Sequence, residues 1–252
     1  MVDKQPLNES ANTVEDYQNA STNMLVDCDN DDRLGFVRKV YAILATQLTV
    51  TFGFVALVKA VPEINDSITD YMGLYITALI LGLIVQCAIL CCRKVARVSP
   101  INYIMLTVFT LCWTFIVGYI CAMYDASVVV SSALMTAVLT ITLTLYAWFT
   151  KNDFTKLCGP FVCWGLILIF TISMMMSLLS MLIFSYTETW YPFAAGFGVI
   201  IYGLFLLIDT QLVCGGGKYE LTIDDYIIGA LILYLDIIMI FLELLRLFGG
   251  RN

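Results

Sequence analysis

Two carboxylates stand where carboxylates are expensive. Asp209 lies in "LLIDTQLVCGGGKYE" and Asp236 in "DDYIIGALILYLDIIMIFLELLRLFGG", each inside a run of apolar residues. A charged side chain at the centre of a bilayer costs about 2.5–3.5 kcal/mol on insertion scales, so such a residue is a functional candidate by default. Two carboxyl groups brought together away from water cannot both ionise cheaply; they titrate as one coupled unit. Their oxygens are also hard ligands, better matched to calcium than to soft metals. A site that holds either a proton or a cation is what a proton-regulated cation path requires. The chain has no histidine, the side chain that ordinarily changes charge near neutral pH, which leaves this pair as its best route to pH sensitivity. The same absence removes the histidine-dependent hydrolases. The competing structural role is simpler: a lone Asp in a membrane helix can do no more than hydrogen-bond a neighbouring helix, at about 0.6 kcal/mol.

The elements that must position the pair are membrane helices. Of 252 residues, 60% are hydrophobic and 13% charged, where a soluble domain carries roughly 25% charged residues. Lipid cannot satisfy backbone polar groups, so spans are helices or closed barrels, and long unbroken apolar runs lack the alternation of a barrel. The fold class is therefore all-α, a polytopic bundle. Seven apolar segments follow one another at 40–61, 72–92, 101–123, 127–149, 160–184, 192–213 and 226–247, each near the ~20 residues that cross the hydrocarbon core. Pro62, Pro100, Pro160 and Pro192 stand at their borders, where a missing N–H costs least. Gly215, Gly216 and Gly217 terminate the sixth. At 1.5 Å per residue, Asp209 and Asp236 then lie roughly 9 and 16 Å inside the same boundary. Consecutive antiparallel helices on a short hairpin are neighbours, so the two side chains are within range of each other.

Orientation follows from the basic residues. Arg33, Arg38 and Lys39 precede segment one; Arg93, Lys94 and Arg97 join two and three; Lys151 and Lys156 join four and five; Lys218 joins six and seven. The opposite loops hold little beyond Lys59. The positive-inside rule puts the N-terminus in the cytosol. A full seventh span leaves Arg246 and Arg251 on the outer side, against that rule, whereas a re-entrant hairpin returns them; the uninterrupted helical pattern favours a full span. Of the sequons at Asn8, Asn19 and Asn65, this topology exposes Asn65 alone to the lumen.

Residues 1–33 read as an acidic, disordered cytosolic tail, and 34–252 as the bundle. "DCDNDDRLG" superficially resembles a calcium loop but fails at its sixth position, Asp32 in place of glycine, and at its twelfth, Arg38 in place of glutamate. The nine cysteines form no Cys-x-x-Cys pair and serve as small hydrophobes, with Cys91 and Cys92 as palmitoylation candidates at a span's edge. Glu243 and Arg246 are spaced as a local i,i+3 pair. Met174, Met175 and Met176 read as packing or lipid-facing residues.

The motifs "FVRKVYAILATQL", "NYIMLTVFT", "TKNDFT" and above all "IDTQL…GGGKYELTIDDYIIGALILYLDIIMIFLELLRLFG" resemble the transmembrane Bax-inhibitor-motif family, in its lifeguard branch, over about residues 34–250. The resemblance implies a seven-helix bundle that leaks calcium from intracellular stores and suppresses apoptosis, without enzymatic activity or a cofactor. It implies membrane lipid, calcium and protons as partners, with apoptosis regulators or death receptors beside them and no nucleic acid. It implies Golgi or endoplasmic reticulum, or the plasma membrane, as the location. It further implies that the matching aspartates, Asp209 and Asp236, form a pH sensor and transient calcium ligands, and that an arginine from the second helix latches onto them. Arg93 is the latch candidate and Arg97 the fallback. The acidic tail departs from the Pro/Gly-rich N-terminus of many lifeguard members, so tail-dependent partners do not carry over. Three rivals accompany this reading. An intramembrane aspartyl protease also pairs aspartates on helices six and seven, but Leu233, Tyr234 and Leu235 precede Asp236 where such enzymes carry Gly-x-Gly. The others are an interaction protein that blocks death signalling without conducting ions, and a calcium/proton exchanger.

Overall fold

A computed structural model describes the backbone of residues 6–157, 191–215 and 220–249, and within these the side chains of 31–155 (Arg93 apart), 193–215 and 220–249. Among the described residues there are eight α-helices and no strand: α1 (Pro6–Ala60), α2 (Pro62–Asp70), α3 (Met72–Cys91), α4 (Arg93–Arg97), α5 (Ile101–Ala122), α6 (Ala126–Phe149), α7 (Tyr191–Cys214) and α8 (Tyr226–Phe248). Single 3₁₀ turns lie at Phe154–Leu157 and Ile223–Asp225. Among the described residues, six helical stretches are long and apolar enough to cross a membrane: Asp31–Ala60, Met72–Cys91, Ile101–Ala122, Ala126–Phe149, Phe193–Cys214 and Ile223–Phe248. The chain is an all-α, multi-pass membrane protein. The expected segment at 160–184, with Met174, Met175 and Met176, lies outside the described residues.

Two differences from expectation have local causes. The acidic N-terminal stretch, expected to be disordered, is helical from Pro6 onward. No glycine or proline interrupts residues 7–34, and a helix already nucleated by its packed half extends one bond per residue. The loop after the first span holds a short helix, α2, which Pro62 opens and which packs its buried Ile68 beneath the bundle edge.

α8 is the axis of the bundle. It is apolar on every side, as a helix must be to sit at the centre, and all but a few of its residues from Ile227 to Arg246 are buried. α7, α6 and α1 pack around it, with α5 behind α1 and α3 outside α5. α1 and α5 run parallel in a fixed register. Gln47 Nε2 donates to Thr110 Oγ1 at 2.9 Å, Thr51 and Thr114 hydroxyls meet at 3.0 Å, and Lys59 Nζ donates to the Ala122 carbonyl at 3.2 Å, each pair 63 positions apart. α8 starts beside Arg97 and ends with Gly249 against the ring of Tyr124, in the α5–α6 turn. It is one unbroken helix from end to end, about 34 Å long at 1.5 Å per residue, with no re-entrant turn. Of the two residues that argued for one, Arg246 is buried against Glu243 at 3.0 Å and so does not act as a free topology charge, while Arg251 lies outside the described residues.

The end of α7 is set by Gly215, whose φ of +76° is the left-handed cap that glycine adopts without steric cost; its N–H donates to the Gln211 carbonyl at 2.9 Å. The orphan carbonyls of the last turn are met from 180 residues away in sequence. Arg33 of α1 donates from Nη2 to Leu212 O at 2.9 Å, from Nε to Cys214 O at 3.3 Å, and from Nη1 to Leu221 O at 2.6 Å. A cation at a helix C-terminus also answers the dipole. A Cβ on Gly215 would sit 2.6 Å from Arg33 Nε. Gly215→Ala is therefore expected to destabilise the protein by about 1–3 kcal/mol, the cost of a strained left-handed residue; thermal unfolding of the purified protein in detergent measures it, and an unchanged midpoint counts against this cap.

Candidate functional site

The hairpin of α7 and α8 brings Asp209 and Asp236 together. The sequence places one in the last two turns of α7 and the other in the middle of α8, and the antiparallel packing of these helices aligns the two levels. Their carboxyl groups lie close enough to interact with each other. An ionised carboxylate only accepts hydrogen bonds, so two carboxyl groups can bond each other only when one of them carries a proton. Asp236 is 1% exposed, and its Oδ2 has no hydrogen-bond partner. Asp209 is half-buried. Among the described residues no ion pair involves either one, and no group of three or more His, Cys, Asp or Glu is placed to hold a metal ion. Calcium takes 6–8 oxygen ligands; two carboxyl groups supply at most four, so the pair is short of a resident calcium site.

The latch expected from Arg93 falls outside the described residues, since that side chain is not among them. Arg97, the fallback, is described, and its hydrogen bonds go to neither Asp209 nor Asp236. It grips Asp225, from Nε to Oδ1 at 2.8 Å and from Nη2 to Oδ2 at 2.9 Å, and donates from Nη2 to Thr222 Oγ1 at 2.8 Å. Thr222 donates in turn to Asp225 Oδ2 at 2.6 Å. Asp225 precedes the first turn of α8, eleven residues and about 16 Å below Asp236. The Asp225 hydrogen bonds push the Arg97 guanidinium still further above its ordinary range, so the cation persists at every working pH. Arg97 thus ties the α3–α5 connection to the foot of α8.

Two positioning residues escaped the reading of the sequence. Arg33 reads there only as a topology charge; the signal for its second role was a glycine-ended helix with unmet carbonyls, which names no donor. Gln211, one turn-half beyond Asp209, donates from Nε2 to Asn152 O at 2.9 Å and accepts from the Phe154 N–H at Oε1, also at 2.9 Å. It binds α7 to the segment after α6. At the foot of α8, Tyr226 accepts from Asn102 Nδ2 at 2.9 Å, and Lys39 Nζ lies 3.4 Å from its ring centroid. Higher up, the Tyr234 and Thr51 hydroxyls meet at 2.8 Å. Towards the far end, Glu243 packs so closely on α7 that a Cβ on Gly198 would lie 2.8 Å from its Cδ. The thiols of Cys91 and Cys92 are exposed at the end of α3.

Residues 33–252 match the family model described as "Inhibitor of apoptosis-promoting Bax1". The chain is 35% identical to mouse Protein lifeguard 3 over 224 residues, which is 89% of this chain and 72% of that protein. Human Protein lifeguard 3 is equally similar, at 35% over 224 residues, 89% of this chain and 71% of the relative. Arabidopsis thaliana Protein LIFEGUARD 2 is 34% identical over 229 residues, covering 85% of this chain and 87% of its own length.

The Arg97–Asp225 pair gives a measurable coupling. One partner is a third exposed, and solvent screening limits such pairs to at most about 1 kcal/mol. A double-mutant cycle on Arg97→Ala and Asp225→Ala, followed by unfolding in mixed micelles, is expected to return a favourable interaction up to that size. Strict additivity would remove the tie.

Proposed function

The chain belongs to the Bax-inhibitor family, in its lifeguard branch, and from that premise we propose that it is a proton-regulated calcium leak whose path passes the Asp209–Asp236 pair. The observation that carries the reading is the contact of two carboxyl groups in the α7–α8 seam, with one oxygen of Asp236 unpartnered. A protonated pair is locked by its own hydrogen bond and offers a cation little charge. Loss of the proton leaves two negative groups that repel each other and attract calcium. Proton and calcium compete for the same oxygens, so flux rises with pH. Two carboxyl groups and water suffice for a passing calcium ion, where a tight site needs a fuller cage.

The basic residues support an orientation. Arg33, Arg38, Lys39, Lys94 and Arg97 gather at the end where α7 and α8 meet, while the opposite end has Lys59, and Arg246 paired to Glu243. By the positive-inside rule the first end is cytosolic, and the pair is reached from there. An endoplasmic-reticulum or Golgi membrane, where a leak lowers releasable calcium and so blunts cell death, fits the family's description as an inhibitor of apoptosis-promoting Bax1. Death suppression through a protein partner without ion flux, and calcium/proton exchange, are the readings against which this one is tested. Proteolysis is a weaker competitor, since no Gly-x-Gly precedes Asp236.

Calcium flux into dye-loaded proteoliposomes at pH 6, 7 and 8 is the test. Wild-type flux is expected to rise by up to about tenfold per pH unit, as one competing proton requires, and Asp209→Asn and Asp236→Asn are each expected to lower it at pH 8 and flatten the profile. Flux indifferent to both substitutions at every pH rejects the carboxylate path. Flux that appears only under an imposed proton gradient identifies an exchanger, and no flux from folded wild-type protein favours the interaction reading.

A further inference from the structure

Buried hydroxyls from three helices converge beside Asp209. Thr210, the next residue on α7, is wholly buried, and its Oγ1 has no hydrogen-bond partner. The Tyr41 hydroxyl of α1 is also buried and unpartnered. Yet the hydroxyls of Thr210 and of Thr144 on α6 lie close enough to Tyr41 Oη to interact with it. Groups that face one another within that range without bonding directly are separated by a gap. One turn further along the same face of α6, Thr140 Oγ1 is unmet as well. α6 carries no charged residue. Besides Tyr41 itself, the charged and titratable groups around the cluster are Asp209, Asp236 opposite it on α8, and Cys214 and Arg33 at the end of α7.

The chemistry of the cluster selects its occupant. A buried hydroxyl left without a partner is costly, and a buried water serves such groups by making about three hydrogen bonds. Three hydroxyls, each able to donate and accept, supply that number. They are neutral and too few for calcium, which takes about 6–8 oxygens. The helices set the level of the site. Thr210 stands four residues before Cys214 and Thr144 five before Phe149, so both lie about 6–8 Å inside the ends of α7 and α6. Tyr41 stands eight residues above Arg33, about 12 Å. A helical side chain leans toward the N-terminus of its own helix, which turns the Tyr41 hydroxyl back toward the foot. There Tyr41 comes near the half-buried Cys214, whose carbonyl accepts from Arg33. The cluster thus lies between that foot and Asp209, the half-buried member of the pair, while Asp236 is 1% exposed.

We propose that Tyr41, Thr144 and Thr210 hold a bound water that relays protons between the cytosolic foot of α7 and Asp209. The relay deepens the proton-regulated reading and rests on it, since only a pair that exchanges a proton needs a route for one. When Asp209 gives up its proton, the water accepts it at its oxygen and passes one of its own protons on toward the foot. One proton moves, and only O–H bonds break and form. Asp236, with no exposed route of its own, exchanges through Asp209.

Infrared spectroscopy of the full chain in nanodiscs, mixed rapidly from H2O into D2O at pH 6, provides the test without calcium. The protonated-carboxyl C=O band that Asp209→Asn and Asp236→Asn each remove belongs to the pair, and its deuterium shift times proton exchange. Replacing facing polar groups together by apolar ones of the same shape is nearly neutral for folding, so the informative variant is Tyr41→Phe with Thr210→Val. Its exchange is expected to be slower than wild type by about tenfold or more, because an apolar cavity stays dry. Thr142→Val, which removes an exposed α6 hydroxyl bonded to Val138 O, is expected to leave the rate unchanged. Should the double variant not elute as monodisperse protein, Thr210→Val is expected to slow exchange and Thr210→Ser, which keeps the hydroxyl, to retain the wild-type rate. Wild-type exchange in the double variant, or equal slowing in Thr142→Val or Thr210→Ser, overturns the relay and leaves the protonated pair standing. A carboxyl band untouched by both asparagine substitutions overturns the pair and the relay together.

Discussion

A helix with almost no face left for lipid or water cannot leave a polar group to solvent, and α8 is such a helix. Every polar side chain on it must be answered by another protein group, because an unmet polar group in a low-dielectric interior costs free energy on the scale of the whole fold's margin. Tyr226 is met by Asn102 of α5 and Lys39 of α1, and Tyr234 by Thr51 of α1. Asp236 is met by Asp209 of α7, and Glu243 by Arg246 one turn on. The positions of α1, α5 and α7 around the axis are in this sense dictated by what α8 carries. Asp236 is the incomplete case. Its neighbour is another acid, and one of its oxygens has no hydrogen-bond partner, a mismatch that on the proposed reading a proton or a passing cation relieves.

The same accounting explains how much could be read beforehand. The spans were legible, since lipid imposes length and apolarity directly; of the six helices long enough to span among the described residues, all but α1 begin and end within a residue or two of the apolar runs. The pairing of Asp209 with Asp236 was legible too, because a short hairpin leaves few alternatives. What could not be read was which motif touches which. "FVRKVYAILATQL" and "NYIMLTVFT" are joined through Gln47 and Thr110. "TKNDFT" is held by the glutamine of "IDTQL", and "NYIM" reaches "DDYIIG" through Asn102 and Tyr226. Each bond crosses at least 57 positions of sequence, and spacing within a motif carries no trace of a partner so far away. Arg33 was hidden for a different reason. A basic residue before a span satisfies the topology rule by its charge alone, which conceals that its geometry also serves three carbonyls.

Charge at the foot of the bundle therefore acts at two ranges. At long range, positive residues near one membrane face bias insertion. At short range, two of the same residues fasten the α7–α8 hairpin from opposite sides: Arg33 at the end of α7 and at Leu221, Arg97 at the start of α8. These fastenings are geometric and fixed, whereas on the proposed reading the protonation of the pair above them varies. A pH-dependent element works only against such a fixed frame. If the frame loosened together with the pair, proton loss would separate whole helices instead of altering one seam.

On the proposed reading, the two-carboxyl arrangement also bears on what kind of calcium pathway is reasonable. Sites that retain calcium gather a cage of oxygens and bind at micromolar affinity or tighter, and a tight site in a conduit holds its ion instead of releasing it. Conduction requires binding strong enough to admit an ion and weak enough to let it leave. Two acids with no third among the described residues sit at the weak end of that range. Adding a third acid to the seam would strengthen binding while slowing release, and it would demand a second proton whenever the seam was empty of metal. A shared proton keeps the empty state of a two-acid seam at the lowest charge with the fewest groups. For a leak that must be quiet when protonated and permissive when not, two carboxyl groups are therefore a better number than three.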